Sequence, residues 1–152
     1  MNSYNKFDQY IDKNLEKSLE ELKRYVAQPS ISAQNLGLKE CAALVKGMLE
    51  KRGFKAEIMA TEGAPVVFAE RKGKSAKTLL IYNHYDVQPP EPLELWESPP
   101  FEPQVRNGKM YGRGVSDDKS HLTSRLYAID AILADEGELP CNIKFIIEGE
   151  EE

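Results

Sequence analysis

Three short stretches of this chain carry side chains able to bind cations or move protons: His84-Tyr85-Asp86, Asp117-Asp118, and Glu148-Gly149-Glu150-Glu151-Glu152. Imidazole nitrogen and carboxylate oxygen can both ligate a metal ion. His84 and Asp86 stand two apart, so on an extended segment they point to the same side. An imidazole that binds metal through one nitrogen commonly gives its other N–H to a carboxylate, and Asp86 is placed for that. In the glutamate run, one carboxylate can ligate while its neighbour takes a proton from an attacking water. Each stretch also has a plainer reading. A His-x-Asp triplet occurs at surface turns, an Asp pair before a helix can cap it and complement its dipole, and a terminal charge run is usually solvated. His121 has no partner at a diagnostic spacing and reads as a helix-surface residue.

The elements that must position these stretches favour the chemical reading. Leu79-Leu80-Ile81-Tyr82 is apolar on both sides and predicts a central strand covered on both faces, inside an extended run from Lys77 to Tyr82. Asn142 to Ile147 alternates as a second strand. The His84 and Glu148 clusters directly follow these two strands, and in open α/β sheets ligands bind at the carboxyl ends of strands. Gly112-Arg113-Gly114 supplies two permissive residues ahead of Asp117 and Asp118, enough for a sharp approach into a site.

Around this framework, apolar residues at Tyr10, Ile11, Leu15, Leu19, Leu22, Tyr25 and Val26 predict an amphipathic helix that Pro29 stops. A second helix carries Cys41, Leu44, Val45, Met48 and Leu49 and ends near Gly53, and a third carries Leu122, Leu126, Ile129, Ile132 and Leu133. Shorter strands are predicted at Lys55 to Met59 and Pro65 to Glu70, and Asn107-Gly108 predicts a hairpin between Phe101 to Arg106 and Lys109 to Tyr111. Six prolines between Pro89 and Pro103 make that stretch an irregular loop, which Trp96 and Phe101 pin to the body. The class is α/β in one domain.

Composition narrows the partners. The 152 residues are 41% hydrophobic and 30% charged, as in folded domains, and 25 acidic against 20 basic residues leave a net charge of -5 that disfavours nucleic acid. Neither a signal-peptide pattern nor an apolar run of spanning length is present, which predicts a cytoplasmic protein with no membrane contact. Cys41 and Cys141 read as buried thiols in a reducing compartment.

Taken together, Ile81 to Pro89, Trp96 to Phe101, Gly108 to Lys119 and Ile147 to Glu152 resemble the family of co-catalytic zinc peptidases that includes carnosine dipeptidase, carboxypeptidase G, aminoacylase and succinyl-diaminopimelate desuccinylase. The dipeptide-hydrolysing branch is the nearest match, through His84-Tyr85-Asp86-Val87-Gln88-Pro89 and the Trp96 loop. The resemblance implies a partial three-layer αβα sandwich with a mixed sheet, of the phosphorylase/hydrolase-like type. It implies two divalent metal ions, zinc foremost, with His84 on one, Asp117 bridging, and Glu152 on the other. Asp86 would orient His84, Glu151 would be the general base, and the Asp117–Asp118 peptide bond would be cis. The substrate would be a dipeptide or an N-acyl amino acid.

Two departures stand out. Ser120 occupies a place where the family usually has Gly. The family's remaining ligands, an acidic residue beyond Glu152 and a late histidine, have no counterpart, nor does its lid and dimerisation domain. Residues 1–152 are therefore expected to be the N-terminal part of a longer catalytic domain, inactive alone and prone to self-association through an exposed sheet, from a homodimeric parent. The alternatives are an N-acyl-amino-acid deacylase or desuccinylase of the same family, and a non-catalytic cation-binding or assembly domain.

Overall fold

The computed structural model describes residues 3–152. Its centre is a four-stranded mixed sheet in the order β1 (Lys55–Met59), β2 (Val66–Arg71), β6 (Cys141–Glu148), β3 (Ser75–His84). β1 and β2 pair antiparallel, β2 and β6 antiparallel, and β3 and β6 parallel. A two-stranded hairpin, β4 (Gln104–Arg106) and β5 (Lys109–Tyr111), stands apart. Both Asn107 and Gly108 at its tip have positive φ, which the Asn-Gly pair was expected to supply.

Three helices complete the domain: α1 (Ser3–Ala27), α2 (Leu38–Glu50) and α3 (Ser120–Glu136). The stripe Cys41, Val45, Met48 and Leu49 of α2 and Leu122, Leu126 and Ile129 of α3 pack against Val67, Ala69, Ile143, Phe145 and Ile147 of the sheet. Alternation along β6 aims these last three residues at one face, so the described helices share that face. α1 lies antiparallel on α3. The Lys6 ammonium meets Asp135 at one end, and Lys119 reaches the Tyr25 and Gln28 carbonyls at the other. Only the C-terminal part of the α1 stripe is buried, through Leu22, Tyr25 and Val26, whereas Ile11 and Leu15 are exposed.

The sequence expectation for β3 is corrected here. It is an edge strand, not a central one, and Leu79, Leu80 and Tyr82 are 51%, 57% and 51% exposed. Among the described residues its apolar run has no neighbour on one edge, and its Leu80 and Tyr82 lie on the sheet face opposite the described helices. The α/β class and the mixed sheet hold, and the described helices pack on one face of that sheet.

Candidate metal centre

The parallel register of β3 and β6 ends on the pair His84 and Glu148. Both cluster-bearing segments therefore leave the same edge of the sheet side by side, and the Tyr85 N–H donates to the Glu148 carbonyl at 2.8 Å just beyond the last rung. Close approach continues past the strands. A Cβ on Gly149 would lie 2.3 Å from the Tyr85 ring, so only glycine lets the two chains run this near. The third segment arrives from the other direction, through a turn at 115–119 that leads into α3. Gly114 opens that turn with φ +84, and a Cβ there would meet Val87 at 2.6 Å. Lys119 anchors the turn from behind: its fully buried ammonium donates to the carbonyls of Gln28 at 2.7 Å and Tyr25 at 3.1 Å and faces the Tyr25 ring.

These constraints bring the three sequence clusters together. One ligand atom each from His84, Asp117 and Glu152 lies within 4.8 Å of the others. The His84 Nε2 is 3.0 Å from an Asp117 oxygen and 3.9 Å from a Glu151 oxygen. His84 and Asp86 are buried, while Asp117 and Glu151 face solvent. The donor set fits a divalent cation: one imidazole and two carboxylates on three separate segments, able to converge on one point. The Asp117–Asp118 bond is cis, as the resemblance implied.

Asp86 does more than the sequence suggested. One of its oxygens is 3.3 Å from His84 Nδ1 and also accepts the Glu151 N–H at 3.2 Å, and the other accepts the Glu152 N–H at 3.0 Å. A single buried residue thus fixes the imidazole, through its backbone carbonyl and carboxylate, and the glutamate backbone, through its carboxylate. Burial works against the charge of Asp86, but the hydrogen bonds from His84, Ser32 and the two backbone groups hold its carboxyl below the usual carboxylate range. Burial likewise opposes the His84 imidazolium, yet hydrogen bonding to Asp86 and Asp117, with the Asp118 charge nearby, pushes its pKa up to about 9.

Three further residues take part that the sequence reading left without a role. Gln88 Nε2 donates to a Glu152 oxygen at 2.6 Å and steers that carboxylate. Asp118 does not cap α3; one oxygen accepts from the Asn83 side chain at 2.6 Å and from the His84 N–H at 3.1 Å. Its other oxygen lies 2.5 Å from Nδ1 of His121, which is exposed on the helix surface as expected. Only the i,i+3 spacing of Asp118 and His121 on a predicted helix was available as a signal. A cleft of about 810 Å³ lies elsewhere, beside Glu21, Arg52 and Asp130, whose charges are already paired with one another.

With this geometry described, the chain can be set beside known proteins. Residues 80–152 match the sequence model of Peptidase family M20/M25/M40. Among curated relatives, a succinyl-diaminopimelate desuccinylase of Dechloromonas aromatica is 33% identical over 135 residues, covering 89% of this chain and 35% of the relative. Among solved structures, an M20 family metallo-carboxypeptidase from Sulfolobus solfataricus is 46% identical with a TM-score of 0.83, over 88% of this chain and 31% of that one. Human carnosine dipeptidase 1 is 32% identical with a TM-score of 0.85, over 95% of this chain and 34% of that one. The chain thus spans about a third of the length of the curated relatives it matches. Together with a mixed α/β sheet that superposes on both of these structures, these matches make the chain similar to the M20/M25/M40 peptidase family, whose sequence model spans its residues 80–152.

Proposed function

We propose that this chain provides the metal-binding end of a hydrolase that cleaves the amide bond of a dipeptide or an N-acyl amino acid. The observation that carries this reading is the convergence of His84, Asp117 and Glu152 within 4.8 Å, with Glu151 beside them. His84, Asp117 and Glu152 would hold the divalent metal, for which zinc suits the set, with manganese or cobalt as alternatives. When bound, a pair of such ions polarises the scissile carbonyl and acidifies the attacking water.

The residues of the chain do the rest. Asp86 accepts the His84 Nδ1–H at its backbone carbonyl, 3.3 Å away, with a carboxylate oxygen at the same distance, and so leaves Nε2 to face outward. Through the N–H groups of Glu151 and Glu152 it also fixes where their carboxylates start. Glu151, half-exposed at the mouth of the cluster, takes the proton of the attacking water and hands it to the leaving amine. Three ligands are too few to close two zinc sites, since each needs roughly three protein ligands plus water. The 152-residue chain alone is therefore expected to bind metal weakly and to hydrolyse little.

Both substrate classes have support: a desuccinylase among the curated relatives, and a carboxypeptidase and a dipeptidase among the solved structures. The test is a chimera in which residues 1–152 replace the matching part of the Sulfolobus solfataricus enzyme, assayed on dipeptides, N-terminally blocked dipeptides and N-succinyl amino acids. Glu151→Gln in that chimera should lower kcat by about 100-fold or more while metal content stays constant. An active chimera indifferent to Glu151→Gln would remove the proposed base, and strong hydrolysis by the isolated chain would contradict the ligand count.

A further inference from the structure

Asp118 follows the proposed bridging ligand directly, yet both of its oxygens point away from the cluster formed by His84, Asp117 and Glu152. It is buried, with 6% of its surface exposed, and it joins three separate pieces of chain. Asn83 and the His84 N–H lie at the end of β3, Asp118 lies in the turn before α3, and His121 lies in the first turn of α3. The same Asp118 oxygen that accepts the backbone N–H of His84 is thus one peptide unit away from the carboxylate that meets the His84 ring at 3.0 Å.

We propose that Asp118, supported by Asn83 and His121, is a positioning residue that holds the carboxylate of Asp117 against the His84 imidazole before any cation arrives. The inference rests on the metal-site reading given above. Asn83 supplies the reason to see more than packing. Its side chain is fully buried, its amide N–H donates to Asp118, and its own carbonyl oxygen has no partner. An orphaned buried carbonyl destabilises the fold, so an apolar residue of similar size would serve stability better. What Asn83 contributes is the bond to Asp118. His121 closes the remaining oxygen from the solvent side, its own ring being largely exposed. With both oxygens engaged, Asp118 has little freedom to swing into the cluster and compete as a ligand, and Asp117 is left as the one that faces it.

The chain has two histidines, so an isotope-labelled histidine sample gives two resolvable rings by NMR. In the metal-free 152-residue protein, Asp118→Ala should move the ring nitrogen signals of His84, and Asp118→Asn, which keeps an acceptor for Asn83 and the His84 N–H, should restore most of the wild-type pattern. Zinc affinity by calorimetry should fall by about 10- to 100-fold in Asp118→Ala, the range seen when a group that orients a ligand is lost. Ile129→Ala, in the α3 core, should lower Tm without moving the His84 signals. Should Asp118→Ala fail to fold, His121→Ala opens the same oxygen from the surface and should shift His84 in the same direction by less.

A folded Asp118→Ala whose His84 signals and zinc affinity match the wild type would overturn the proposal, as would an unchanged His84 in His121→Ala. The metal reading is judged separately. If added zinc leaves the wild-type His84 ring untouched, that reading falls, while the response of His84 to Asp118→Ala without metal still decides the positioning role.

Discussion

Two groups of buried charge sit in this domain, and they are built on opposite plans. In one, the Arg52 guanidinium, with 7% of its side chain exposed, pairs with Glu21 and Asp130 at 2.8 Å each, donates to the Met48 carbonyl and lies over the Tyr127 ring. Its cation is permanent and covalently fixed. In the other, Asp86, Asp117, Glu151 and Glu152 surround His84, whose charge depends on a proton. The first group is complete as it stands and serves to clamp α1 and α3 to the chain after α2. The second sets four carboxylates around one proton-dependent cation, against two around Arg52, an excess that a mobile divalent ion would balance. The larger surplus of negative charge, at a partly buried edge and without a permanent cation, is what separates a candidate site from a structural ion cluster here.

The sharpest way to break that contrast is to remove the permanent cation. Arg52→Ala strands Glu21 and Asp130 without a partner and should cost about 3–5 kcal/mol of folding stability, read from urea denaturation. Under conditions where the variant is folded, zinc affinity should be unchanged, because the clamp and the cluster share no residue. A variant that lost metal affinity in proportion to stability would show that the two groups are one coupled unit.

The proton-dependent cation gives the next largest effect. The His84 pKa is about 9 folded against 6.5 for the free side chain, a folded-state increase. Such a group contributes stability that is fully present below pH 6.5 and is lost as pH rises through about 9. That increase caps the effect at about 3 kcal/mol, and solvent screening at this open site lowers it further. In chelator, denaturation midpoints should therefore fall between pH 6.5 and 9.5, and His84→Gln should flatten the profile. With zinc present the slope should weaken or reverse, since the ion and the proton compete for the same ring. A midpoint independent of pH in chelator would mean that the carboxylates around His84 are not held as close as 3.0 and 3.3 Å in solution.

How much of this was legible in the sequence differs between the two groups for a physical reason. His84, Asp86, Asp117, Glu151 and Glu152 were readable because each sits at the end of an element whose periodicity or glycine content is itself readable. The Arg52 clamp was not, because Glu21 and Asp130 lie 31 and 78 positions away on helix faces that look like ordinary solvated charge. The misreading of β3 has a related cause. A run of apolar residues reports that a strand can be covered, but not which strands lie beside it, and here β3 is at the sheet edge with Leu80 half exposed. Asp118 was given no role of its own because its partners Asn83 and His84 are 35 and 34 residues away, beyond any local pattern.

Gln88 tests the comparison at its weakest point, where the cluster opens to solvent. Its side-chain amide holds a Glu152 oxygen at 2.6 Å, but both side chains lie near the surface, so the bond contributes no more than a typical exposed hydrogen bond. Gln88→Ala should leave the denaturation midpoint within about 0.5 kcal/mol of wild type, as surface substitutions usually do. If Glu152 is a ligand, freeing its carboxylate adds an ordering cost to metal binding, and affinity should drop by between about twofold and tenfold, equivalent to roughly 0.5–1.5 kcal/mol. Gln88→Glu should weaken binding less than Gln88→Ala or even strengthen it, because a second carboxylate at that position attracts a cation even as it repels Glu152. Equal affinity in all three proteins would separate Glu152 from the cation and leave His84 and Asp117 as the ligand pair, with the surplus charge of the glutamate run serving only to draw cations toward them.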